Sequence, residues 1–408
     1  MVRRNIIGDI MRENEAAEPM WVCKDCLKDS MLKCLTVRNN ERHTCSGCGL
    51  EKMETLTPRR IANFIREHLP KHFEVDRGIY PGYEMSLDDL LAKAIVCDSQ
   101  VVCRSIAQFL EDSRAGEDDF YWPGQCYSRT RSPFDSQEHE RWFVMGEWQQ
   151  ITRELVHGRR FFNSRAHRFF ESLIGEALAA RREGQDAAAV MTEIEPGTSF
   201  YRARLASGLA EARKFADNPA ADLGAPPKER AANNRMSAAG VPLLYVSADP
   251  HTCIAEIRPS IGDTIAVGKF NSTAALKFFD FNALSHRLEH EPLSFFESDY
   301  QKRDHHRTLL HYLHEEIARP VRSSDIDYVM TQALAEYIRD HQPGAFDGIS
   351  FRSVQREGGV NFVLFDNSKN SSLSDPDWRP TFSLAIEPRD VEFHEVEAVT
   401  YRSKTIGP

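Results

Sequence analysis

No run of this 408-residue chain is apolar for the eighteen or so residues that a membrane-spanning helix requires, so no membrane span is expected. The charged, glutamate-containing start is not that of a secretory signal peptide, and a cytoplasmic protein is expected. The G-x-G-x-x-G fingerprint is missing, which removes support for a Rossmann-type domain that recycles a dinucleotide. A G-x-S-x-G elbow is missing too, so the serines are not read as nucleophiles of a Ser-His-Asp set. Positive charge is short, with 51 Lys and Arg against 61 Asp and Glu and a net charge of −10. That balance argues against a nucleic-acid surface spread over the whole molecule and leaves room only for a local basic patch. Nine cysteines, an odd number, do not form a disulfide framework in a reducing compartment. What remains is an ordinary soluble composition, 41% apolar and 27% charged, long enough for two or three domains.

Four of the cysteines fall into a pattern. Cys23-Lys24-Asp25-Cys26 and Cys45-Ser46-Gly47-Cys48 are two C-x2-C pairs separated by eighteen residues. Two intervening residues let both sulfurs of a pair reach one ion from a tight turn, and the spacer lies in the range of structural zinc sites. A closed set of four sulfurs has no open position for chemistry, so Zn2+ held by Cys23, Cys26, Cys45 and Cys48 is expected to be structural. Cys34 and His43 are spare ligand candidates. Cys97, Cys103, Cys126 and Cys253 read as small apolar core residues.

The richest chemistry lies between Tyr201 and Glu256. Tyr201-Arg202-Ala203-Arg204 reads as a strand, which puts Arg202 and Arg204 on one face. Arg235 follows in a loop whose course is set by Gly240 and Pro242. Leu243-Leu244-Tyr245-Val246 is a short apolar strand, and Asp249 or Thr252 caps the helix after it, with Glu256 in its first turns. Glu256 stands between Ile254 and Ile257, a place where a carboxylate points to a task. Arginines grip phosphates by paired hydrogen bonds. Tyr245 can stack on a ring, or it is a buried strand aromatic. A carboxylate steadies the positive charge of a ribosyl transition state. The set therefore points to a substrate with a diphosphate, an aromatic ring and a ribose.

Further motifs follow in order: Ile326-Asp327-Tyr328-Val329-Met330-Thr331-Gln332, then Asp347-Gly348-Ile349-Ser350-Phe351-Arg352-Ser353, then Gly359-Val360-Asn361-Phe362-Val363. Together with the stretch from Tyr201, they resemble the RES domain, a bacterial family named for its Arg, Glu and Ser. The resemblance covers roughly the C-terminal half of the chain. It implies an ADP-ribosyltransferase-like fold with a mixed, largely antiparallel split sheet. It also implies NAD as a substrate to be consumed, and a toxin paired with an antitoxin protein. It makes Glu256 the catalytic carboxylate, with Arg235 and Ser353 beside it, and Arg204 the preferred substrate arginine, supported by Arg202, Tyr245 and Ser350. Ser237 stands where this group usually has Asn. Water, inorganic phosphate and a protein target are all open as acceptors.

Upstream, Thr57-Pro58 opens a helical pattern through Ile61, Phe64 and Ile65, and Ser86 caps a long amphipathic segment from Leu87 to Leu110. Later helices carry Trp148, Ile151, Phe169, Phe170 and Leu173. A zinc knuckle before a helical block resembles the HEPN-like N-terminal domain found ahead of some RES domains. Arg160 with His167, and Arg66 with His72, match the spacing of a HEPN ribonuclease pair, but solvated helix faces are the better reading. The same holds for His305, His306, His311 and His314, a run with no third ligand type beside it. The expected architecture is α+β and multidomain: a zinc knuckle (1–56), an all-helical domain (57–192), the RES domain (193–385) and a C-terminal tail (386–408). The function expected is cleavage of NAD at the nicotinamide–ribose bond. The alternatives are a HEPN-type ribonuclease and a non-catalytic nucleotide-binding module. Homo-oligomerisation stays open.

Overall fold

The computed structural model describes residues 20–76, 85–130, 137–182, 184, 187–286, 288–319, 326–341, 344–367 and 378–400. The start read above as no signal peptide lies outside them. The chain divides into two compact units, Met1–His139 with Pro292–Lys302, and Glu140–Glu291 with Arg303–Pro408.

The first unit begins with strands β1 (Val22–Cys23), β2 (Val37–Thr44) and β3 (Glu51–Leu56), which form an antiparallel sheet in the order β1-β3-β2. Thr57 then caps the helix Pro58–Ile65 by accepting from the Arg60 amide, with proline at a position where no amide hydrogen is missed. Ser86 and Asp89 form a reciprocal capping box for the helix Leu87–Ala94. The long segment expected from Leu87 to Leu110 is broken: Ser99 caps a second helix, Gln100–Leu110, and Val96 between them has a left-handed φ of 50°. Leu27, Leu32, Ile61, Ile65, Leu90, Ile106 and Leu110 make the core, closed by Phe295, Phe296 and Tyr300 from the 292–302 segment. This unit is not all-helical, because β4 (Phe73–Val75) pairs with β5 (Tyr127–Arg129). Three residues each are too few to print a period of two, although Phe73 and Tyr127 are both fully buried.

The second unit holds a nine-stranded mixed sheet. Its strands are β6 (Met191–Ile194), β7 (Ser199–Ala206), β8 (Leu244–Ser247), β9 (Thr264–Ser272), β10 (Leu276–Asp280), β11 (Gly348–Arg352), β12 (Val360–Leu364), β13 (Leu384–Ala385) and β14 (Val391–Glu395). The order is β13-β9-β7-β8-β12-β11-β10-β6, with β14 also on β9, and only the β10–β11 pair is parallel. Both faces of the central strands are covered. Phe278 and Phe362 enter one core with Phe200 and Leu244, while their neighbours Phe279 and Val363 enter the other. Burial on both sides explains why these strands are continuous apolar runs and not alternating ones.

Two expected boundaries shift. The helices Gln137–His157 and Ser164–Ala179 belong to the second unit, since Trp148, Ile151, Phe169, Phe170 and Leu173 share one core with Phe279, Leu309 and Leu313. The stretch from residue 386 is not a mere tail, because β14 pairs with β9 over Val391–Glu395. His306 is fully buried rather than on a solvated face, with its ring nitrogens at 2.9 Å from Ser172 Oγ and 3.1 Å from Glu147 Oε2. Of the four histidines in that run, only His311 is exposed. No helix among the described residues is long and apolar enough to cross a membrane.

Candidate functional site

Strands β7 and β8 are joined at a single residue pair, Tyr201 with Ser247. Beside this junction lies a cavity of about 430 Å3, walled by Tyr201 and Arg202 of β7, Tyr245 of β8, Glu256, Arg235 and Asn361. Four of the residues singled out in the sequence thus meet in one place.

Glu256 arrives there as the last residue of the short helix Pro250–Glu256. Asp249 is the cap, accepting from the Thr252 amide at 3.0 Å and from Thr252 Oγ1 at 2.6 Å. Arg356 donates to the same Asp249 at 2.6 Å. Burial works against the charge of Asp249, but the Thr252 bonds and the Arg356 guanidinium outweigh it and hold its pKa below the usual value.

The carboxylate of Glu256 is fixed by two donors. Ser353 Oγ donates to Oε1 at 2.6 Å and Asn361 Nδ2 donates to the same oxygen at 2.7 Å. Each donor is itself oriented. The amides of Gln355 and Arg356 donate to Ser353 Oγ at 3.1 Å, which leaves its proton for Glu256. Ser247 Oγ donates to Asn361 Oδ1 at 2.7 Å, which turns the amide nitrogen toward Glu256. Gly359 allows this closeness, since a Cβ there would meet Thr252 Oγ1 at 2.6 Å and Ser353 Cβ at 3.1 Å.

The arginines are placed unequally. Arg202 is half-buried and donates to the Tyr245 carbonyl at 3.3 Å; burial, with Arg204 nearby, pushes its pKa down to about 10. Arg235 lines the cavity and donates from Nη1 to the carbonyls of Ile317 at 2.6 Å and Arg319 at 2.9 Å. Its loop is held from behind by Gln332, which donates to Asn233 Oδ1, Asn234 O and Ser237 O, and by Thr331, which donates to Arg235 O. Ser237, also cavity-lining, meets the Tyr245 hydroxyl at 3.1 Å, and the Met236 amide donates to that hydroxyl at 3.2 Å. Burial pushes the Tyr245 phenol up to about 12, so it stays protonated.

Arg204 and Ser350 are not brought to the cavity. Arg204 is exposed, donates to the Asp222 carbonyl and lies 5.6 Å over Phe215. Ser350 is buried in β11 and donates to Asp280 at 2.8 Å. Asn361, Tyr201, Tyr328 and Arg258 are cavity residues that sequence reasoning passed over. Asn361 carried a signal: it is the one polar side chain in Val-Asn-Phe-Val-Leu, and it is buried.

In the first unit the sulfurs of Cys23, Cys26, Cys45 and Cys48 all lie within 4.8 Å of one another. The Cys23–Cys48 and Cys26–Cys45 separations are 3.8 and 3.7 Å. Four sulfurs about 2.3 Å from a tetrahedral zinc would stand about 3.8 Å apart, so the donor set fits that ion. Gly47 approaches so closely that a Cβ would meet Cys26 Sγ at 2.9 Å. Cys34 is exposed and His43 stacks on Trp21; neither joins the group. Cys97, Cys103 and Cys253 are buried as expected, but Cys126 is exposed. Arg66 donates to the carbonyls of Phe109 and Leu110, and His72 packs on Phe295 and Tyr300. Arg160 and His167 are exposed, with His167 against Tyr337.

No curated protein is a significant match to the chain. Among solved structures, the M. tuberculosis MbcT–MbcA toxin–antitoxin complex is similar over 56% of this chain and 91% of that one, at 10% identity and a TM-score of 0.28. A family model matches the part of the second unit that builds the cavity, from β7 to the last strands before β14. The model is that of the RES domain, and it matches residues 200–387.

Proposed function

We propose that this chain is a RES-type toxin that cleaves NAD at the nicotinamide–ribose bond and so depletes cellular NAD. The observation that carries the reading is Glu256 at the cavity wall, held through one oxygen by Ser353 and Asn361. Its Oε2 has no hydrogen-bond partner among the described residues and remains for the ribose. As the bond between the anomeric carbon and the pyridinium nitrogen breaks, the electron pair leaves with nicotinamide and positive charge grows on the ribosyl ring. A fixed carboxylate stabilises that charge more than it stabilises bound NAD. Arg202 and Arg235 keep the wall positive, and Tyr245 packs against a ring of the ligand. Water or inorganic phosphate then attacks the anomeric carbon, giving ADP-ribose or its 1-phosphate.

The RES domain supports this reading, and with it an ADP-ribosyltransferase-like fold for the split sheet and an antitoxin protein as partner. A structural zinc held by Cys23, Cys26, Cys45 and Cys48 completes it; the closeness of the four sulfurs, two pairs of them at 3.7 and 3.8 Å, supports that ion. Product analysis of purified protein with NAD, with and without phosphate, tests the reaction. Free nicotinamide with an intact diphosphate is expected. Nicotinamide mononucleotide and AMP would instead mean that the diphosphate is cut, and the reading would fall.

A further inference from the structure

A guanidinium grips a ligand anion through paired N–H donors best where none of its nitrogens is already held by the protein. Arg202 and Arg235 each keep their charge but have one guanidinium nitrogen, Nη1, tied to backbone carbonyls, and Arg204 lies elsewhere. Arg258 is different. It lines the same cavity two residues after Glu256, it is exposed, and among the described residues its guanidinium has neither a hydrogen-bond nor a carboxylate partner. It does not pair even with Glu256, so the carboxylate and the guanidinium are left for different parts of a ligand.

The backbone adds a second, independent observation. Arg258 follows the helix cap Ile257 and has a left-handed φ of 50°, with its amide donating to Ala255 O at 3.1 Å. That is the position after a helix where glycine, or next asparagine, is strongly favoured, because a Cβ there crowds the backbone. Val96 is the only other non-glycine residue with positive φ among the described residues, and Val96 is not in the cavity. An unfavourable side chain kept where glycine fits better, on a cavity wall, marks strain held for function.

We propose that Arg258 is the anion-binding residue of this cavity and takes the diphosphate of the ligand, a role that rests on the NAD reading for the reaction but only on cavity geometry for the anion. A planar guanidinium offers paired donors to phosphate oxygens, which a lysine ammonium reproduces in charge but not in geometry.

Arg258→Gly separates function from fold, because glycine relaxes the left-handed backbone while removing the charge. Thermal unfolding of this variant is expected at or above the wild-type midpoint. Its KM for NAD should rise about tenfold or more, the scale of losing a charged hydrogen bond, with kcat within about threefold. ADP affinity, measured by calorimetry, should fall in parallel. Arg258→Lys should recover part of the loss, and Arg258→Gln, which keeps the strain, should recover none. Unchanged KM and ADP affinity in a folded Arg258→Gly would overturn the role, and so would a wild type that binds no ADP. A wild type that binds ADP through Arg258 but leaves NAD intact would keep this inference and remove the proposed reaction.

Discussion

In the proposed reaction Glu256 is the group that meets the ribosyl charge, held there by two donors. Glu256→Gln keeps size and most hydrogen bonding but removes the charge that opposes a ribosyl cation. Turnover should fall by about a hundredfold or more, the scale of one preorganised electrostatic group, while KM changes little. Asn361→Ala leaves the carboxylate in place but removes one of its two restraints, so a smaller loss of about tenfold in kcat is expected. Steady-state kinetics on both variants check the order; an Asn361→Ala loss equal to that of Glu256→Gln would mean that Asn361 touches the substrate itself. The meeting of Glu256, Arg235 and Tyr245 at one cavity was readable from residue type and family motif. The closeness of Ser353 to Glu256 was expected from the resemblance. The Asn361 bond was not, because 105 residues separate the partners and only the pairing of β8 with β12 joins them. For Arg204 the face was right and the reach was wrong. Two residues along a strand carry a side chain about 7 Å onward, here past the cavity to Phe215.

At the level of elements, the helix Pro250–Glu256 is the device that aims the carboxylate, and Asp249 is its cap. Asp249→Ala removes the cap and a partner of Arg356, and should destabilise the second unit by about 1 kcal/mol. Activity should drop with it, because Glu256 rides on the same short helix. Asp249→Asn keeps a capping oxygen and should recover most of the stability. Chemical denaturation of the three proteins decides the matter, and equal midpoints for all three would remove the cap from the account. Strand β14 fell in the expected tail, while β7 and β8 were legible in Tyr-Arg-Ala-Arg and Leu-Leu-Tyr-Val. Strands β4, β5 and β13 were not, being two or three residues long. The break before Ser99 was hidden as well, since Leu87 to Leu110 keeps a helical period on both sides of it.

Across the whole chain, the core of the second unit reaches back to Val144, and a fragment cut at the expected boundary of 193 would strip Trp148, Phe169, Phe170 and Leu173 from Phe279 and Leu309. Such a fragment should be insoluble where the full chain is not; a soluble, active fragment from 193 would contradict the shared core. Chelation of the zinc proposed at the four cysteines should lower the unfolding midpoint of the first unit and leave turnover by the second unchanged. Acid should weaken both units. Burial lowers the pKa of His72 in the first and of His290 and His314 in the second below the usual 6.5. Depressed folded-state values mean that the unfolded chain binds protons first. Their stabilisation is therefore complete above about pH 6.5 and is lost as the pH falls through the lowered values. Unfolding midpoints that stay flat or rise from pH 7.5 to 5.5 would contradict this. The central claim is simpler to test. Purified full-length protein is incubated with NAD, and free nicotinamide is followed over time beside the folded Glu256→Gln variant. The account predicts release by the wild type and a rate about a hundredfold lower or less for the variant; no release by the wild type, or equal rates, would contradict it.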